Sequence, residues 1–189
     1  HDFAIDDLES LILYAKEFVD PESGALVYNL NFVNAIRHME DPKFGKAVYR
    51  FKESDEILSW LKVDRFQHKQ LREFLEIRLG EFVESELFTE LATLKLNAEI
   101  QFESVTEDDR NFGIVFKQKD SKGSSKIPKK IHVRVPLFYG DDATWEVPFR
   151  VRFNQPNEAT PRVSFSLEPI GFDLIWRNAV KTKIAELRE

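Results

Sequence analysis

Residues Lys129–Glu168 read KKIHVRVPLFYGDDATWEVPFRVRFNQPNEATPRVSFSLE. Three segments in this stretch alternate apolar and polar side chains. Ile131, Val133, Val135 and Leu137 fall on one side, with His132, Arg134 and Pro136 on the other. Trp145, Val147, Phe149, Val151 and Phe153 share a side opposite Glu146, Pro148, Arg150 and Arg152. Val163, Phe165 and Leu167 oppose Arg162, Ser164, Ser166 and Glu168. A period of two marks strands with one buried and one wet face. Tyr139-Gly140-Asp141-Asp142 is a turn cluster, and Asn154 to Pro161 is rich in loop residues. Connections this short favour antiparallel neighbours.

The polar side of these strands carries His132, Arg134, Arg150, Arg152 and Arg162. Before them runs Lys117 to Lys130, with Lys122 and Lys126 around Gly123-Ser124-Ser125. Its composition reads as a mobile hairpin tip. The planar fork of Arg suits phosphate. His132, Arg134, Arg150, Arg152, Arg162, Lys122 and Lys126 are therefore the candidate nucleic-acid contacts. The plainer expectation is a solvated sheet face on which Glu146 and Glu168 offset the arginines.

Working outward toward the N-terminus, Leu94, Leu96, Ala98, Ile100 and Phe102 also alternate with polar residues. Phe112, Ile114 and Phe116 follow after the acidic turn Glu107-Asp108-Asp109. Helical patterns precede them. One runs from Leu8 to Phe18 behind Asp6-Asp7, and one follows Ser54-Asp55-Glu56. A longer stripe near Arg65 to Val83 carries Leu71, Phe74, Leu75, Leu79 and Phe82, and Ser85 is placed to cap another helix. Ala25 to Tyr28, Phe32 to Arg37 and Lys46 to Phe51 read as short strands, joined in part by the turn run Asp41 to Gly45. A last helix is predicted from about Gly171 to Leu187. The expected fold is α+β. It has an antiparallel meander of about five strands with one face covered by helices, a small N-terminal β ribbon and a C-terminal helix. The expected organisation is one domain over 1–189, with a helical and ribbon lobe at 1–94 and the sheet with its terminal helix at 95–189.

The 189 residues include 42% apolar side chains and 17 Phe, enough for a substantial core. Net charge is −6, unevenly spread. Residues 1–94 hold 11 basic against 19 acidic side chains, a balance of −8, and residues 95–189 hold 16 against 14, a balance of +2. The absence of cysteine excludes disulfides, thiol nucleophiles and thiolate metal sites, and fits a reducing cytosol. No apolar run approaches the ~18 residues of a membrane helix. The sequence opens His1-Asp2-Phe3 with no visible signal peptide, which reads as a tag remnant or a shortened chain.

Chemical motifs are sparse. His38-Met39-Glu40-Asp41 has no second His at ligand spacing, and Lys122-Gly123-Ser124-Ser125-Lys126 lacks the spacing of a phosphate loop. His68, at a helix start, reads as a surface residue. Glu99 and Glu103, with Lys95 and Lys117, are the nearest approach to a nuclease set. The expectation is a non-enzymatic protein with no catalytic, cofactor or metal residues.

The run Val135-Pro136-Leu137-Phe138-Tyr139-Gly140 through Trp145-Glu146-Val147-Pro148-Phe149-Arg150-Val151-Arg152-Phe153 resembles the C-terminal signature of the YfdQ-like phage and prophage proteins. There a P-x-F-x-G turn leads to Y-E-V-x-A-R-L-R-Y. Phe165-Ser166-Leu167-Glu168-Pro169 resembles the W-Y-E-L-x-R-P-like run that follows, and Arg72-Glu73-Phe74-Leu75-Glu76 the family's F-x-x-F-L-E helix. This chain departs in having Phe149 at a position that is usually small, and in its lysine-rich insertion. The resemblance implies a phage early-region protein of the bacterial cytoplasm, acting near replication, recombination or host takeover. It supplies no catalytic residues. The expected function is an accessory protein acting on a host or phage protein, with nucleic-acid binding in recombination or replication as the alternative. Self-association is left open, and no membrane partner is expected.

Overall fold

Asp7 starts the first helix as the sequence predicts: its Oδ1 accepts the Ser10 N–H at 2.7 Å. A computed structural model of the chain describes residues 3–36, 46–84, 86–93, 101–118, 121–155 and 162–189. In chain order the elements are β1 (Phe3–Ile5), α1 (Leu8–Phe18), β2 (Ala25–Tyr28), β3 (Phe32–Ile36), β4 (Lys46–Arg50), α2 (Asp55–Leu61), β5 (Phe66–Gln67), α3 (His68–Glu76) and α4 (Glu86–Thr93). There follow β6 (Gln101–Glu107), β7 (Asn111–Gln118), β8 (Ser121–Pro128), β9 (Lys130–Pro136), β10 (Thr144–Asn154), β11 (Ser164–Pro169) and α5 (Phe172–Leu187). The fold is α+β with a C-terminal helix. The turn Asp41 to Gly45, the Ser85 cap, residues 94–100 of the first long alternation and most of the Asn154–Pro161 connection lie outside the described residues.

The chain forms two compact units. Unit 1 gathers residues 1–58, 135–145 and 171–189. Its sheet has the order β1-β4-β3-β2, with β1 parallel to β4 and the other pairs antiparallel. Val33, Ala35, Ala47, Tyr49 and Phe51 are buried, as are Leu8 and Leu11 of α1. Phe138 packs between the Phe51 ring, 5.0 Å away, and Trp176 of α5, 4.7 Å away. Gly140 turns the chain here with φ 72°, and an added Cβ would stand 2.2 Å from the Asp6 carbonyl oxygen. Only glycine fits that approach.

Unit 2 gathers residues 59–134 and 146–170. Trp60 is fully buried at its centre, edge-on to Phe74 at 5.0 Å and tilted against Phe149 at 6.1 Å. Its indole N–H donates to Glu81 Oε2 at 2.8 Å, so the buried ring keeps its polar partner. The helix expected over Arg65–Val83 is only the nine-residue α3. Beyond Gly80 the backbone runs extended beside β9: the Val83 N–H donates to the His132 carbonyl at 2.9 Å, and the Arg134 N–H to the Glu81 carbonyl at 2.6 Å. These bonds occupy the outer edge of β9, which is why the stripe does not stay helical.

The expected five-strand meander divides into separate sheets. One has the order β5-β11-β10-β9 and the other β6-β7-β8. The run read as a hairpin tip is β8, paired with β7 from Asn111↔Pro128 to Gln118↔Ser121. Its inward residues include Ser125 and Ile127, both buried, so the alternation is too weak to see among lysines. Lys129 joins the two sheets. Its N–H donates to the Arg110 carbonyl, and its carbonyl accepts the Val151 N–H, both at 2.8 Å.

Candidate functional site

His132 and Arg134 lie on β9 and Arg150 and Arg152 on β10, where the alternation puts them. Val147, Phe149 and Val151 are buried, while Glu146, Arg150 and Arg152 are exposed. The face is laced with counter-charges. Arg134 Nη2 reaches Glu146 Oε2 at 3.1 Å, and Arg152 Nε reaches Glu168 Oε1 at 2.6 Å. Arg150 lies opposite Glu168 in the β10–β11 register and is exposed. Such pairs on an open surface add little stability. They do offset part of the field that a polyanion would follow.

His132 is committed to a carboxylate. Its backbone N–H donates to Glu84 Oε2 at 2.7 Å, and its ring Nδ1 bonds Glu84 Oε1. Burial alone would raise the Glu84 carboxyl, but the bonds from the His132 ring and backbone hold it below its ordinary value. No local pattern pairs Glu84 with His132, because Glu84 sits on the extended segment beside β9.

The lysines belong to the other sheet. Lys126 is exposed on β8, and its backbone N–H donates to Glu90 Oε2 at 3.0 Å. Lys122 is in β8, where it pairs in register with Lys117. His38, Glu40, Asp41, Lys95 and Glu99, weighed as metal or nuclease residues, lie outside the described residues. Among the described residues no group of three or more His, Asp or Glu is placed to hold a metal ion.

β11 departs from expectation. Ser164 and Ser166, predicted on a wet face, are buried. Ser166 Oγ accepts the Arg65 N–H at 3.0 Å and Asn154 Nδ2–H at 3.1 Å, and donates to Asp64 Oδ1 at 2.9 Å. The Asp64–Arg65 turn therefore covers this side of the strand. Arg65 adopts φ 53°, a left-handed conformation held by the Ser166 bond. The hydroxyl is fully used in holding the turn.

A cluster the sequence reading passed over lies where β5 meets α3. His68, read as a surface residue, is half-buried. It shares a helix face with Arg72, four residues on, about 6 Å away by helix geometry. Arg162 joins them from the start of β11: its Nη1 donates to Gln67 Oε1 at 3.4 Å, and Gln67 pairs with Ser164 in register. Burial, then the positive charges of Arg72 and Arg162, push His68 down to about 4. The only signal available in the sequence was the i, i+4 spacing of His68 and Arg72.

Unit 1 contains a cavity of about 220 Å³ lined by Phe3, Ile5, Val48, Arg50, Lys52 and Tyr139. At the other side of the same sheet, β2 is an outer strand, and Val27 and Tyr28 on it are 42% and 38% exposed. No family model, curated protein or solved structure matches the chain. Among the described residues no helix is long and apolar enough to cross a membrane.

Proposed function

We propose that this is an accessory protein that acts by binding another protein, encoded by a phage and working in the bacterial cytoplasm. The observation that carries the reading is the state of the β2 edge. Ala25-Leu26-Val27-Tyr28 is an outer strand without charge or proline, and two of its apolar side chains are exposed. Natural sheets blunt such edges unless they are used, and an extended segment of a partner adds to them readily. The acidic balance of residues 1–94 suits a basic partner surface. The resemblance to the YfdQ-like proteins supports the phage setting.

The test is affinity capture from bacterial lysate with the full chain and with Val27→Lys. Val27 is 42% exposed, so the lysine is expected to charge the edge without disturbing the core. A specific protein retained by the wild type and lost from Val27→Lys supports the reading. Equal retention by both, or none, defeats it.

The second reading is nucleic-acid binding through His132, Arg134, Arg150, Arg152, Arg162, Lys122 and Lys126. The exposed Arg150 and Lys126 favour it. The Glu146 and Glu168 pairings count against it. Salt-dependent binding of labelled DNA, lost on Arg134→Ala/Arg150→Ala/Arg152→Ala, would promote it.

A further inference from the structure

We propose that His68, Arg72 and Arg162 form a binding site for a single phosphate-type oxyanion. The site belongs to unit 2, does not draw on the β2 edge, and shares only Arg162 with the nucleic-acid reading. Three observations converge on it. First, the residues are brought together by two elements, the His68–Arg72 face of α3 and the Gln67–Ser164 register that delivers Arg162.

Second, the donors are unused. His68 Nε2 and Arg72 Nε are both buried atoms without a hydrogen-bond partner, and Arg162 reaches only the neutral Gln67. A buried donor left unpaired carries its full desolvation cost with nothing to offset it. Two of them on one helix face mark a place where a ligand with several acceptor oxygens restores what burial removed.

Third, the charge has one sign. The charges acting on His68 are Arg72 and Arg162. Neither arginine has a carboxylate partner among the described residues. Of the acids on neighbouring positions, Asp64 accepts the Ser166 hydroxyl and Glu73 lies 3.9 Å from Lys69, while Glu76, one turn beyond Arg72 on α3, is exposed to solvent. Arg134 and Arg152, by contrast, are each matched to a glutamate. An arginine pair presents planar N–H forks to a tetrahedral anion, and a neutral imidazole with its proton on Nε2 adds a third donor. Arg162 is exposed and the His68 and Arg72 side chains are half-buried, so an anion enters beside Arg162 and reaches the two buried nitrogens when these side chains shift.

The test is titration of the ¹⁵N-labelled full chain with inorganic phosphate at fixed ionic strength, following the His68 ring and Arg72 Nε–H signals. Saturable shifts of both are expected. Arg72→Gln and Arg162→Gln should each weaken binding by about tenfold or more, and Arg134→Gln should leave it unchanged. Bound phosphate should also raise the pH at which His68 titrates, which a merely structural histidine would not show. Shifts that fail to saturate, or that survive both variants, overturn the proposal. So does binding of a short oligonucleotide with none of phosphate, which would indicate a diffuse polyanion surface.

Discussion

Lys183 of α5 places its Nζ 3.1 Å from Asp141 Oδ1, with only 12% and 9% of the two side chains exposed. Asp141 also accepts the Ala143 N–H at 3.2 Å, so this pair fixes the turn after Gly140 to the last helix of unit 1. Breaking one side of a buried pair strands the other charge. Lys183→Met is expected to destabilise the protein by about 3 kcal/mol, and Lys183→Met/Asp141→Asn by clearly less. Urea unfolding of both variants checks this.

Ser166 organises a second buried point. Ser166→Ala leaves the Arg65 N–H without its acceptor and removes the hydrogen bond to Asp64. The expected cost is about 2 kcal/mol, against under ~1 kcal/mol for Asn154→Ala, which removes a single bond. Thermal melts of the two variants should rank in that order.

Two glycines have left-handed backbones but different surroundings. Gly140→Ala meets backbone at 2.2 Å and 2.9 Å, whereas Gly171→Ala meets nothing within 4 Å. Gly171→Ala should cost about 1 kcal/mol from conformation alone. Gly140→Ala should cost at least twice that, since backbone must also move. Equal losses in denaturant midpoint would contradict the close approach at Gly140.

Acid should weaken unit 2 in two steps. His68 is held near 4 in the fold against an ordinary 6.5, so the unfolded chain takes up the proton first. Its contribution is complete above pH 6.5 and fades as pH falls toward 4. Allowing for solvent screening it amounts to roughly 1 kcal/mol. Glu84 is lowered, so its contribution holds above its ordinary 4.5 and is lost as pH drops through its depressed value. His68→Gln should flatten the first step only, seen in unfolding free energy measured across this range.

The legible parts of the fold were those where burial imposes one period. β9 and β10 alternate cleanly because one face is core and the other solvent; α1 announces itself by its Asp7 cap and α5 by its apolar stripe. β8 was illegible because Ser125 and Ile127 are embedded among lysines, glycine and serines. The two-residue β5 and the strap at Glu81–Glu84 are too short to carry a period, and they exist only because neighbouring strands need edge partners. Of the basic face, position was legible but occupancy was not: Glu146 and Glu168 were visible as offsets, while Glu84 reaches His132 from a segment that reads as helix. The His68–Arg72–Arg162 cluster depends on the pairing of Gln67 with Ser164, nearly a hundred residues apart, a relation that no local pattern encodes.

Unit 1 is stitched from three separated pieces of chain, residues 1–58, 135–145 and 171–189. During synthesis its sheet emerges long before α5 does, so the seat for Trp176 beside Phe138 stays empty until residues 171–189 have been made. A stop codon that removes α5 would therefore do more than shorten the protein. It would leave the rest of unit 1 with an exposed core and make it a substrate for chaperones and proteases.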